Sequence, residues 1–225
     1  MGTMSLAYDL TTPGGRFKAH WDYNFKDHAF LRAWFQNAHW VSPELVRTNQ
    51  PSPNQLKRWK EQGIRTVINL RGGFDGSFYA LERDACQQLG LNQVDFTVTS
   101  RAVPTREKVR AAKAMFETLE YPALMHCKSG ADRAGIMSVL YCHFRLGESI
   151  EQASRHLSLK YLHVEAGKTG VLDYVFARYL EEAAPKGLSF MEWVESDAYD
   201  PDKIKADFRA KWWGTVFTEG LLKRE

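Results

Sequence analysis

At 225 residues, 44% of them apolar and 25% charged, the chain is long enough to bury a real core and suits one domain with extensions. A net charge of +3, with basic residues scattered among acids, gives no basic stripe for nucleic acid and leaves only a modest pull on anionic substrates or an anionic membrane face. Three cysteines (Cys86, Cys127, Cys142) without C-x-x-C spacing exclude a disulfide framework and a cysteine zinc site, and the scattered histidines imply no metal and no cofactor.

The N-terminal Met1-Gly2-Thr3-Met4-Ser5-Leu6 lacks the basic and apolar regions of a secretory signal, and Leu6 stands where myristoylation wants Ser or Thr. No apolar stretch approaches the ~18 residues of a membrane span, so a reducing cytoplasm is the expected compartment. Residues 1–40 form an aromatic-rich extension with Trp21, Trp34 and Trp40. The plain expectation is that this extension packs on the core; the sharper one is peripheral contact with a lipid surface.

From about residue 42 strands and helices alternate. Pro53 to Gln62 reads as a helix stopped by Gly63, and Ile64 to Leu70 follows as a strand. Phe78 to Leu89 reads as a second helix stopped by Gly90, and Val94 to Val98 as the next strand. A third helix begins near Pro104, with Val109, Ala112, Met115, Phe116 and Leu119 on one face, and leads into Ala123-Leu124-Met125-His126. Helices are expected over 133–146, 149–161 and 170–183, with Ala184-Pro185-Lys186-Gly187 as a linker. The alternation predicts an α/β fold, a mostly parallel central sheet flanked by helices. The expected organisation is an extension over 1–40, a main domain over 41–183, and a helical extension over 184–225 packed on the core and containing Trp193, Trp212 and Trp213.

The most informative run is His126-Cys127-Lys128-Ser129-Gly130-Ala131-Asp132-Arg133, between an apolar strand and an apolar helix. A cysteine at a helix N-terminus is favoured as the thiolate by the dipole and by the loop N–H groups. Backbone amides from Lys128 through Arg133 can converge on phosphoryl oxygens, with Gly130 permitting the tight turn. The Arg133 guanidinium then matches two of those oxygens. This spacing resembles the cysteine-dependent protein tyrosine and dual-specificity phosphatases, of which Val67-Ile68-Asn69-Leu70-Arg71 and the Gln50-Pro51 turn resemble bacterial members. The likeness spans about residues 40–180. It implies a dual-specificity phosphatase-like fold, Cys127 as nucleophile forming a phosphocysteine, Arg133 as phosphate clamp, and His126 supporting the thiolate. Lys128, Ser129, Gly130, Ala131, Asp132 and Arg133 would bind the phosphate. The implied partner is a phosphorylated protein, or a phospholipid or inositol phosphate.

Two positions depart from the resemblance. Ala134 stands where these phosphatases usually place Ser or Thr to assist the departing thiolate, a role open to Ser129 or Thr169. The loop Thr99-Ser100-Arg101-Ala102-Val103, where the general acid is expected, holds no carboxylate. Asp95, 32 residues before Cys127, falls inside an apolar strand. Asp132 is the better candidate: myotubularin-type lipid phosphatases and some bacterial phosphatases also carry Asp directly before this arginine, and a carboxyl beside a phosphate dianion is suited to donate a proton. The alternative is that Asp132 only caps the following helix or pairs with a basic neighbour. Lys128 meets either a second anionic group or solvent. Cys86 and Cys142 read as core residues, a Cys86–Cys127 disulfide being the other option for Cys86. Ala166-Gly167-Lys168-Thr169-Gly170 lacks the upstream glycine and strand of a nucleotide-binding loop. A rhodanese-like sulfurtransferase and a phosphate-recognising module without turnover are the competing functions.

Overall fold

The computed structural model describes residues 8–222. The N-terminal run read for targeting signals and the Trp213 side chain therefore lie outside the described residues. The chain divides into two compact units: one from the chain up to Val98 together with Leu119–Ala134, the other from Thr99–Thr118 together with the chain from Gly135 onward.

The first unit opens with α1 (Pro13–Phe25) and α2 (Ala29–Trp34), then β1 (His39–Ser42) and β2 (Leu45–Thr48), α3 (Pro53–Glu61), β3 (Thr66–Asn69), α4 (Ser77–Leu89) and β4 (Asn92–Asp95). Helix α3 starts where its sequence says it should, with Pro53 in the first turn and a reciprocal Ser52–Gln55 capping box. Helix α4 ends on Gly90 at a φ of +60°, the left-handed residue a C-terminus favours. After α5 (Arg106–Thr118), the chain returns as β5 (Ala123–His126), which enters the middle of the sheet. Strand order is β1-β2-β5-β3-β4; all neighbours are parallel except the β1–β2 hairpin. Val46, Leu124 and Val67 stand side by side in register and pack with Leu56 and Trp59 of α3 and Ala85 and Cys86 of α4. Leu45, Ile68 and Met125, which alternate with them, are equally buried, as parallel strands require.

The second unit contains α5, the body of α6 (Asp132–Leu146), α7 (Ile150–Ala153), α8 (Val171–Glu182), α9 (Phe190–Glu195) and α10 (Pro201–Leu222). Phe176 and Tyr179 of α8 and Trp193 of α9 surround the Phe190 ring, and Tyr199 meets Trp193 edge-on at 5.0 Å. Trp193 is thus a buried residue of this unit. Trp21, Trp34 and Trp40 are not: each is exposed, and Phe17, Trp21 and Phe25 stack outward along α1 at 6.0 and 4.4 Å.

Three local expectations need correction. The hairpin β1–β2 was not anticipated, because each strand has only four residues and carries no clear alternation. The strand expected at 94–98 lies at Asn92–Asp95, where the ladder to β3 ends; Phe96 and Val98 still bond to Asn69 and Leu70 carbonyls but leave the sheet. The helix expected at 149–161 breaks after Ala153 into 3₁₀ turns at Ser154–His156 and Leu159–Tyr161. Ser154 bonds back to the Ile150 carbonyl at 2.7 Å, and Leu157 leaves helical geometry.

Candidate active site

The register of the parallel strands brings Thr48, His126, Asn69 and Asp95 into one polar row at the carboxyl edge of the sheet. That edge is where open α/β sheets bind ligands. The loop from Cys127 to Ala131 leaves the central strand there and runs straight into α6, whose first residues are Asp132 and Arg133.

The loop is held from outside, carbonyl by carbonyl. Gln50 N–H donates to Lys128 O at 3.3 Å, and Asn37 Nδ2 to Ser129 O at 2.9 Å. Arg47 Nη2 donates to Gly130 O at 2.8 Å and to Ala131 O at 2.7 Å. In a trans peptide the N–H of the next residue points opposite to the carbonyl. Four carbonyls drawn outward therefore turn the N–H groups of Ser129, Gly130, Ala131 and Asp132 inward. The Gly130 N–H lies 3.2 Å from the buried Cys127 Sγ. Gly130 has a φ of +76°, and a Cβ there would come within 2.8 Å of the Thr48–Asn49 backbone. Only glycine fits.

Behind the loop runs a network of buried charge. His126 Nε2 lies 2.9 Å from Glu82 Oε2, and both side chains are buried. Glu82 also accepts from Gln50 and, at 3.1 Å, from Gln93. Gln50 Oε1 accepts from Arg71 at 3.0 Å, and Arg71 stacks on the Phe78 ring. Arg71 in turn grips Asp27, which also meets Arg32 and, at 3.5 Å, Lys128 Nζ. Lys128 thus neither points simply to solvent nor stands unclaimed. Burial alone would raise the Asp27 carboxyl, but the Arg71 hydrogen bond and charge, with Arg32 and Lys128 behind them, hold it below the ordinary carboxylate range.

A depressed folded-state value means that Asp27 stabilises the fold fully above its unfolded pKa of about 3.9, and loses that effect as pH falls through the lower folded value. Asp27→Asn is expected to lower the melting temperature at neutral pH, with the gap to the native chain closing on acidification below about pH 4. Melting curves across that range check this; a gap unchanged by pH would refute it.

Asp95 is exposed, at the end of β4 rather than inside it, and its oxygens accept from Asn69 Nδ2 at 3.0 Å and Tyr79 Oη at 2.6 Å. Asp132 is the first residue of α6, and Arg133 Nη1 approaches the Arg71 carbonyl at 3.4 Å. Ala134 is fully buried. The Thr169 hydroxyl bonds within its own turn, to Val164 O, while Ser129 Oγ accepts from Ala131 N–H at 3.4 Å. All three cysteines are buried and none is in a disulfide, so Cys86 and Cys127 are not bridged in this structure. Burial, then the charges of Glu82 and Asp95, pushes the Cys86 thiol up to about 12, leaving it an inert core group. Arg47, Asn37, Glu82 and Asp27 were missed by sequence reasoning, and Gln50 was singled out only as part of a turn.

The profile of the family described as a DSP-PTPase phosphatase fused to NAD+ kinase (PTP-NADK) matches residues 36–170. No curated protein matches the chain. Among solved structures, P. aeruginosa TpbA is similar at 18% identity, covering 70% of this chain and 89% of that one with a TM-score of 0.50. Its cysteine-to-serine variant in complex with pTyr is similar at 16% identity, 72% and 91% coverage and a TM-score of 0.51. Tk-PTP in the active form gives 17% identity, 66% and 99% coverage and a TM-score of 0.51. At these identities the likeness is one of fold. Among the described residues no helix is long and apolar enough to cross a membrane.

Proposed function

This chain belongs to the PTP-NADK family of DSP-PTPase phosphatases, and on that premise we propose that it hydrolyses phosphate monoesters through a phosphocysteine on Cys127. The observation that carries this reading is the set of four consecutive carbonyls held by outside donors, with the Gly130 N–H 3.2 Å from Sγ. Those amides, with the Arg133 fork, receive the three phosphoryl oxygens as charge builds on them. The Cys127 thiolate attacks phosphorus while Asp132 protonates the departing ester oxygen. Water then displaces the sulfur, giving up its proton to the Asp132 carboxylate. With no hydroxyl on the Ala134 side chain to assist the leaving sulfur, the Gly130 N–H takes that part from 3.2 Å. His126 and Glu82 position the strand end that carries Cys127.

The substrate class is a monoester on phosphotyrosine, phosphoserine or phosphothreonine protein, or on a phosphoinositide-like lipid. Peripheral contact with a lipid surface belongs to the same reading. The outward aromatics of α1 sit on the helix that runs into Asp27, beside Lys128. Sulfur transfer is not favoured by the family match.

Acid quenching during turnover of an aryl phosphate should leave phosphate bonded to Cys127, one per chain. A persulfide at Cys127, or no covalent phosphate, would overturn the proposal. Asp132→Asn should lower kcat by about 10²- to 10³-fold, whereas Asp95→Asn should change it only a few-fold. The reverse pattern would make Asp95 the acid.

A further inference from the structure

The catalytic reading leaves Ala166-Gly167-Lys168-Thr169-Gly170 without a role, yet this turn borders a cavity of about 270 Å³ within the second unit. Four cations line it: Arg101, Lys168, Lys205 and Arg209, with no carboxylate among the lining residues. Among the described residues none of the four is ion-paired. Four other arginines of the same unit are engaged. Arg106 donates to Ser196 and Tyr199 carbonyls, Arg110 meets Glu195, Arg155 meets Glu148, and Arg178 meets Glu182 and Asp207. Four like charges around one cavity repel one another, and a multiply charged anion relieves that repulsion.

The remaining wall is apolar and fixed. Trp212 is anchored by its indole N–H on the Ala166 carbonyl at 2.9 Å, Phe208 packs on Tyr174 at 5.7 Å, and Val171 is buried between turn and helix. At position 170 a Cβ would fall 2.0 Å from the Glu165 carbonyl oxygen and 3.4 Å from the Phe208 ring, so the turn that carries Lys168 closes only with glycine there. The cations thus face an aromatic wall in a space sized for a small molecule. Such a wall favours the flat face of a ring, while the arginines and lysines take phosphate oxygens.

We propose that this cavity binds a small molecule bearing two or more phosphate groups on a ring-containing body. The proposal stands on residues of the second unit alone and does not depend on the chemistry assigned to Cys127.

The test is equilibrium binding to the full chain with Cys127→Ser and Arg133→Ala, which silences the phosphate loop. The probes are ADP, inositol 1,4-bisphosphate and inorganic pyrophosphate. At least one ring-bearing probe should bind about tenfold or more tighter than pyrophosphate. A preference for ADP identifies a planar base, and a preference for the inositol a polyol ring. Adding Lys168→Ala and Arg209→Ala, both exposed positions, should weaken binding at least about tenfold, and Trp212→Ala should erase the margin over pyrophosphate. Equal binding of all three probes, binding that survives loss of Lys168 and Arg209, or no binding at millimolar concentration would each overturn the proposal.

Discussion

Cys127→Ser is expected to remove turnover of aryl phosphates by about 10⁴-fold or more, while affinity for an oxyanion such as tungstate stays within a few-fold. The Gly130 N–H, a donor, lies 3.2 Å from Sγ. A donor stabilises a sulfur anion but takes no proton from a serine hydroxyl, so the substituted oxygen remains un-ionised at neutral pH. The loop itself should survive, because its carbonyls are held by Gln50, Asn37 and Arg47 through bonds that do not involve the sulfur. Steady-state kinetics paired with tungstate quenching of intrinsic fluorescence separates the two effects. Residual turnover above about one part in a hundred, or loss of tungstate binding with turnover, would show that the sulfur does something other than attack phosphorus.

What could be read from the chain alone follows the distance over which each interaction acts. Cys127, Gly130 and Arg133 lie within seven residues, and their roles follow from a strand, a turn and a helix that are contiguous in sequence. The helices α3, α4 and α5 were legible for the same reason, since caps and apolar faces are local. The supports of the loop come from elsewhere: Arg47 reaches across 83 residues to Gly130, and Asn37 across 92 to Ser129. No period or spacing links such positions. One signal was available for Arg47. It follows Leu45 and Val46 in a four-residue strand with every residue buried, and a buried arginine needs acceptors. Without the β1–β2 hairpin there was no strand to place it on. Asp95 illustrates the opposite error, since its apolar neighbours Phe96 and Val98 suggested a strand that in fact stops at the aspartate.

Arg47→Met is expected to cost about as much catalysis as removing a donor that touches the transition state, about 10²- to 10³-fold in kcat/KM, although what Arg47 holds is the Gly130 and Ala131 carbonyls. Met fills the volume of the stem but donates nothing, so Gly130 O and Ala131 O lose their shared partner. Each buried carbonyl left bare costs about 1–3 kcal/mol, which the loop can recover by rotating those two peptides. The same rotation turns the Ala131 and Asp132 N–H groups out of the phosphate cradle. A domain stable by only about 5–15 kcal/mol can fail to fold under such a loss, so Arg47→Lys is the second arm. A lysine ammonium keeps the charge but reaches the two carbonyls as a point rather than a fork. It should hold the fold and still lower kcat/KM about tenfold. Because the defect is in the cradle, tungstate affinity should fall along with kcat in both variants, unlike in Cys127→Ser. Wild-type tungstate affinity in a folded Arg47→Lys or Arg47→Met chain would mean that the outward carbonyls do not aim the amides, and the proposed site would lose its physical basis.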